Sequence, residues 1–434
     1  MLMRSAWQLP FSIISLHNTV SRDIDMGQPD QPTSEVTTPG WLSNQVERGL
    51  HASWAVGRLL DHAVGLGASD LFVSAQEERW VVTVRHLGLI RPVCDLTPPV
   101  GLHCAAHLRA EAALDIAEHR KPQDGRWVHR TPAGKILDLR VSALPTLHGE
   151  DVSVRLLDRE TSLLRLDQVG LLPTDLQRLR KLLENPGGLI LMTGPIGAGK
   201  STTLYACLQY LNDGTRRIHT LEDPIEYAID NLHQSQVNPK HGVHFPDLLR
   251  CIIRQGPDVI MIGEIRDSET ARTAVSAANS GHLVLATLHA PRAAGSVASM
   301  LAFGVEPHFL ATSMIGAVSQ RLVRTFCPKC RFPLGGVNSP GDPPTSTQTA
   351  ALGCPACHYT GFGRQTALFE VMEMTPALRE LVRNRETTQA IEAQAHREGM
   401  TGFRHAAEAL VARGLTEMGE IERRIPRDCL QAGH

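Results

Sequence analysis

Apolar and polar residues follow two different rhythms along this chain of 434 residues. In the first part they alternate in short runs near 71–73, 80–85, 136–141 and 152–156, a two-residue period that predicts strands. Helical spacing precedes these runs from Trp41 to about Gly65 and interrupts them at about 101–116. From residue 173 the pattern changes. A helix is expected at about 173–183, and then apolar strands near 188–193, 217–221, 258–263 and 283–287 take turns with helices near 200–211, 246–255, 268–279 and 292–303. Such alternation predicts a mostly parallel sheet with right-handed crossovers. Beyond Met374 the spacing is helical again, near 375–384, 387–398, 402–413 and 416–423. The expected fold is α/β: a smaller α/β domain over 45–160, a linker at 161–172, and a larger domain over 173–434 with a helical tail at 375–434. Residues 1–44, rich in Ser, Thr, Pro, Asp and Gln without a period, are expected to form a flexible arm.

Between the strand at 188–193 and the helix at 200–211 stand Gly194, Pro195, Ile196, Gly197, Ala198, Gly199, Lys200, Ser201 and Thr202. They fit the pattern G-x-x-x-x-G-K-[ST] at every fixed position, in the strand–turn–helix setting that the pattern requires. Glycines at 194, 197 and 199 let the backbone wrap a phosphate without Cβ clashes, and the helix start offers bare N–H groups at a positive dipole end. Lys200 is placed to reach the β and γ oxygens and Ser201 to ligate Mg²⁺, so ATP with Mg²⁺ is the expected ligand.

Composition adds exclusions. A hydrophobic content of 42% supports sizeable cores, and a net charge of −2 supplies no overall cationic field, so nucleic acid is not an expected partner. No apolar run reaches the roughly 18 to 20 residues of a membrane span, and the run at 9–16 is too short for a secretory signal. Of nine cysteines, Cys94, Cys104, Cys207, Cys251 and Cys429 are scattered singly. Cys327, Cys330, Cys354 and Cys357 instead form two C-x-x-C knuckles, which read as a closed tetrahedral Zn²⁺ site in a subdomain at 325–370, with a redox dithiol or two disulfides as alternatives.

Three further segments accompany the glycine loop. Val259-Ile-Met-Ile-Gly-Glu-Ile-Arg-Asp267 is an apolar strand ending in an acid, and Thr220-Leu-Glu-Asp-Pro-Ile-Glu-Tyr227 and Gly281-His-Leu-Val-Leu-Ala-Thr-Leu-His289 flank it in sequence. With the loop they resemble the four boxes of the secretion ATPases that drive type II secretion and type IV pilus assembly. The resemblance runs from about Gly67 to Glu373 and includes Asp70, Arg126, Arg140-Val-Ser142, Gly149-Glu150, Gln320-Arg-Leu-Val-Arg324 and the four cysteines.

That resemblance implies a RecA-like P-loop core joined to a PAS-like smaller domain. Carried over to this sequence, it implies that Glu264 polarises the attacking water, that Glu222 completes the acidic site, and that His282 and His289 sense the γ-phosphate or contact the neighbouring domain. Arg126, Arg140 and Arg155 would project from the smaller domain toward nucleotide, where a planar guanidinium can spread over γ-phosphate charge. Glu226 is read as a solvated turn position. Phe72, Gly256, Ser280 and Ala290-Pro291 depart from the family pattern without removing Lys200, Glu222 or Glu264, so hydrolysis is expected to survive. Only about 44 residues precede the matching part, so docking through a large additional N-terminal domain is not expected. Retraction motors of the superfamily generally lack the tetracysteine, which favours an assembly or export motor. The implied function is a cytoplasmic homo-hexameric ATPase, peripheral to the inner membrane through platform and docking proteins. A conjugation or DNA-uptake motor of the same superfamily, and a nucleotide-dependent scaffold with negligible hydrolysis, are the competing readings.

Overall fold

The computed structural model describes residues 52–132, 134–158, 163–238, 241–334 and 348–430. The expected arm at 1–44, and the helical start at Trp41, lie outside the described residues. A first sheet follows the helix Ala52–Gly65: β1 (Asp70–Ala75), β2 (Trp80–His86), β3 (Leu89–Leu96), the helix Pro98–Glu111, then β4 (Gln123–Arg130), β5 (Ile136–Thr146) and β6 (Gly149–Asp158). The strand order is β3-β2-β1-β6-β5-β4, with every pair antiparallel. Alternation sorts the two faces: in β2, Trp80, Val82 and Val84 are buried while Val81, Thr83 and Arg85 point the other way. Both helices cover the apolar face, where Leu59, Leu60 and Leu108 pack on Val82, Leu139 and Val154. A Cβ at Gly101 would lie 2.1 Å from Cγ of Trp80, so the second helix rests directly on the indole. β3 and β4 have no clear signal in the sequence pattern because they are the two edges, and β4 keeps only a weak apolar side, its residues alternating between exposed and half-buried.

A second sheet carries the parallel core. The helix Pro173–Leu183 leads to β7 (Gly188–Thr193), the helix Lys200–Leu211, β8 (Ile218–Glu222), β9 (His233–Gln236), the helix Phe245–Ile253, β10 (Val259–Ile262), the helix Ser268–Asn279 and β11 (Leu283–Leu288). Helices Gly295–Ala302 and Pro307–Ser313 precede β12 (Met314–Phe326), a small hairpin of β13 (Arg331–Leu334) and β14 (Gln348–Ala351), and β15 (Phe362–Glu373). The order β15-β12-β7-β11-β10-β8-β9 is parallel throughout except for the β12–β15 pair. β7, β10 and β11 are buried at every position, because helices cover both faces.

Three details differ from the sequence expectation. β12 and β15 are strands that the apolar pattern does not predict; in β12, Ser319, Gln320, Arg321 and Arg324 are buried polar residues that break the apolar run. The stretch between the cysteine knuckles, expected as a loop, holds β13 and β14. The described part of the expected linker does not run free: Leu166 and Val169 are buried in the core of the second sheet. The tail forms helices Pro376–Arg383, Thr388–Arg397, Phe403–Ala412 and Met418–Arg424, the first two capped by the hydroxyls of Thr375 and Thr387. A buried ion pair between Glu420 and Arg324 ties this tail to β12.

Candidate functional site

The glycine loop turns at the C-terminal end of β7, with φ of 141° at Gly194, 74° at Gly197 and 87° at Gly199. Gly194 and Ala198 are buried, Pro195, Ile196 and Gly197 form the exposed tip, and the helix bearing Ser201 and Thr202 begins at Lys200. A Cβ at Gly194 would lie 2.5 Å from the carbonyl oxygen of Gln320, and one at Gly199 would lie 2.7 Å from that residue's side-chain nitrogen. Nζ of Lys200 donates to the carbonyls of Gly194 at 2.9 Å and Pro195 at 3.1 Å. Burial lowers the pKa of this ammonium and Arg321 adds to the effect, against the pull of Glu264.

Glu264 follows β10 on the same edge of the sheet. One carboxylate oxygen lies 2.8 Å from Nε2 of His289 and the other 2.7 Å from the guanidinium of Arg266. Burial alone would raise its pKa, but Arg266 and then His289 outweigh that and hold the carboxyl below the ordinary glutamate value. Arg266 also reaches Asp223 at 3.3 Å.

Glu222 sits inside the wall, only 4% exposed. It accepts from the Tyr205 hydroxyl, from the Thr220 hydroxyl at 2.6 Å and from the Gln234 amide at 3.1 Å. The acid that interacts with the Ser201 hydroxyl is instead Glu226, which also feels Arg140 and Arg155 across the gap. Burial raises its pKa. Glu226 is therefore half-buried at the site, not a solvated turn position. The chain reverses after Pro224 and is pinned where the Glu226 N–H donates to the Tyr205 hydroxyl at 3.3 Å, a return that no local pattern signals.

The two histidines part company. His289 joins the site through Glu264. His282 precedes β11, whose register pairs Leu283 with Gly188 and Leu288 with Thr193, so it stands at the opposite edge of the sheet, about 20 Å from the loop of its own chain. There its Nδ1 bonds the carbonyl of Ala277 at 2.9 Å. The structure thus does not bring His282 to the nucleotide loop of its own chain, and it anchors the strand start there.

Arg126, Arg140 and Arg155 are in direct register across β4, β5 and β6, and the row continues through Asp70 and Arg85 on the open face of the first sheet. Arg126 forks onto buried Asp138, and Arg155 donates to Asp70 at 3.1 Å. Arg140 is half-buried, makes no ion pair among the described residues, and has Glu226, in the loop after β8, as its strongest favourable charge. Arg140 and Arg155 thus face the loop's acid, while Arg126 is engaged within its own sheet.

The four knuckle cysteines converge at the end of β12. Their sulfurs all lie within 4.8 Å of one another, with Cys327–Cys354 at 3.9 Å and both Cys330–Cys357 and Cys354–Cys357 at 3.8 Å. These separations rule out disulfides and match the edge, about 3.8 Å, of a tetrahedron with metal–sulfur bonds of about 2.3 Å. The donor set fits Zn²⁺, and it is the single such cluster among the described residues. His358, beside it, packs edge-on against His86 of the first sheet, with ring centroids 6.1 Å apart.

Sequence reasoning misses Glu226, Arg266 and Tyr205, and assigns no role to Gln320 and Arg321. For the last two, polar residues inside an otherwise apolar strand are the available signal.

Comparison with known proteins agrees with this geometry. The family model described as "Type II/IV secretion system protein" matches residues 51–423. Type II secretion system protein HxcR of Pseudomonas aeruginosa is 40% identical over 429 residues, 98% of this chain and 87% of that protein. Type II secretion system ATPase E of Vibrio cholerae is 40% identical over 375 residues, 85% of this chain and 74% of that protein. Among solved structures, the Legionella pneumophila ATPase DotB superposes with a TM-score of 0.63 at 20% identity, covering 91% of this chain and 97% of that one. The pilus retraction motor PilT with bound ADP gives 0.54 at 24% identity, covering 81% and 96%, and at such identities both likenesses speak for the fold alone. On its motifs, its RecA-like core and these matches, the chain belongs to the type II/IV secretion system protein family, as a secretion ATPase.

Proposed function

We propose that this protein hydrolyses ATP to power type II secretion or type IV pilus assembly, acting as a homo-hexameric ring against an inner-membrane platform. The observation that carries the reading is the convergence at one sheet edge of Lys200, Ser201 and Glu264, with His289 on the Glu264 carboxylate. With nucleotide bound, Lys200 would turn from the loop carbonyls to the phosphate oxygens, and Ser201 would supply a hydroxyl ligand for Mg²⁺. Mg²⁺ held there would neutralise phosphate charge. Glu264 orients the attacking water and takes its proton, and His289 fixes the carboxylate's orientation. Arg140 and Arg155 complete the charge around the γ-phosphate when the smaller domain closes, which makes closure both the trigger of hydrolysis and the mechanical step. Glu222 acts by holding Tyr205 and Thr220, and so the wall on which Glu226 rests. Cys327, Cys330, Cys354 and Cys357 would hold Zn²⁺ as thiolates, and the metal would staple the module they belong to. No described helix is long and apolar enough to cross a membrane, and on this reading platform and docking proteins carry the contact with the inner membrane.

The test is phosphate release from ATP by purified protein, with and without a membrane platform protein and with DNA. Stimulation by the platform protein is expected. Stimulation by DNA alone points to a DNA-handling motor, and ATP binding without turnover under every condition contradicts the proposal.

A further inference from the structure

We infer that Gln320 is a positioning residue for the phosphate loop, holding the loop's curvature from a neighbouring strand. Gln320 lies in β12, is 3% exposed, and is flanked by Ser319, which pairs with Thr193 at the mouth of the loop. Its side-chain N–H donates to the carbonyl of Ala198 at 2.7 Å, and its side-chain oxygen accepts from the Thr203 hydroxyl at 2.8 Å. One buried amide thus joins the second half of the loop to the first turn of the following helix. Its backbone carbonyl occupies the space a Cβ of Gly194 would need, and its side-chain nitrogen the space a Cβ of Gly199 would need. Gln320 therefore touches the loop at its start and its end, at two positions whose positive φ already calls for glycine.

The chemistry favours positioning over simple core filling. An apolar residue of the same length would fill the volume, but it would leave the Ala198 carbonyl and the Thr203 hydroxyl unpaired in a buried place. Freed from Gln320, Ala198 can rotate its peptide, and with it the N–H groups of Gly199 and Lys200 that a phosphate must find aligned. Gln320 touches no reacting atom in this arrangement and acts through the loop.

The inference rests on the loop being the ATP site, and the experiment separates the two. Equilibrium binding of a fluorescent ADP analogue with Mg²⁺ is measured on the full chain, beside thermal unfolding, for wild type, Gln320→Met and Cys207→Ala. Cys207 is fully buried in the same helix, so its truncation reports core damage alone. Gln320→Met is expected to bind about tenfold more weakly, while Cys207→Ala lowers the melting temperature and keeps wild-type affinity. Should Gln320→Met not fold, Gln320→Glu, which keeps an acceptor for Thr203, replaces it with the same expected loss. Wild-type affinity in the Gln320 variant, or an equal loss in Cys207→Ala, overturns the inference. A wild-type protein that binds no nucleotide overturns the reading of the loop itself.

Discussion

Nε2 of His289 lies 2.8 Å from one oxygen of Glu264 while Arg266 holds the other, so both faces of the carboxylate are already engaged. This arrangement keeps the acid ionised and oriented in a place where burial alone would favour its neutral form. The carboxyl is thereby available as a proton acceptor at pH values below those a buried glutamate would ordinarily tolerate.

A pH dependence follows. Because its pKa is lowered, Glu264 stays charged as pH falls through the ordinary glutamate range. Replacing Arg266 with alanine removes the strongest opposing influence and leaves burial in place, so the acid limb of the pH–rate profile moves to higher pH. An unmoved limb, measured as phosphate release across that range, removes Arg266 from this role.

Glu222 and Glu226 are expected to separate on substitution. Glu222→Gln turns an acceptor of three hydrogen bonds partly into a donor facing donors, so a loss of about 1–3 kcal/mol is expected in denaturant unfolding. Glu226→Gln keeps stability and changes the Mg²⁺ dependence of nucleotide binding, since its charge acts on the Ser201 hydroxyl and on Arg140. Reversal of the two phenotypes contradicts this division of roles.

Asp175 supplies a second pH effect, remote from the site. It is fully buried in the helix Pro173–Leu183, and burial raises its pKa to about 6 from the unfolded value of 3.8. The protonated form is the one the fold accommodates, so this contribution is complete below about pH 4 and is lost as pH rises through about 6. Asp175→Asn is therefore expected to unfold at a higher temperature than wild type at pH 8, with no such advantage at pH 4. Equal melting temperatures at pH 8 exclude it.

The tetracysteine predicts its own stoichiometry. Metal analysis should find one zinc per chain, lost in Cys354→Ser, with nucleotide affinity kept because the cluster lies beyond the end of β12 and away from the loop. A metal-free wild type with full activity is the opposing result.

How much of this the sequence discloses depends on whether a residue's role is local. The glycine loop, the apolar strand before Glu264 and the paired knuckles each carry their chemistry within a few adjacent residues, and the structure assembles them as expected. What stays hidden is set by chain reversals and register. Glu226 reaches Ser201 only because the chain turns after Pro224, and His282 and His289, in one motif, lie at opposite ends of a fully extended strand. β12 is obscured by its buried polar residues: Gln320, which holds the loop beside it, and Arg321, which donates to the carbonyl of Pro291.

Glu264→Gln tests the account most directly. The amide keeps the shape of the site while removing the proton acceptor, so nucleotide binding should remain within about twofold of wild type while phosphate release falls by about 10²- to 10⁴-fold. Phosphate release at the wild-type rate in Glu264→Gln, with nucleotide bound, would contradict the account at its centre.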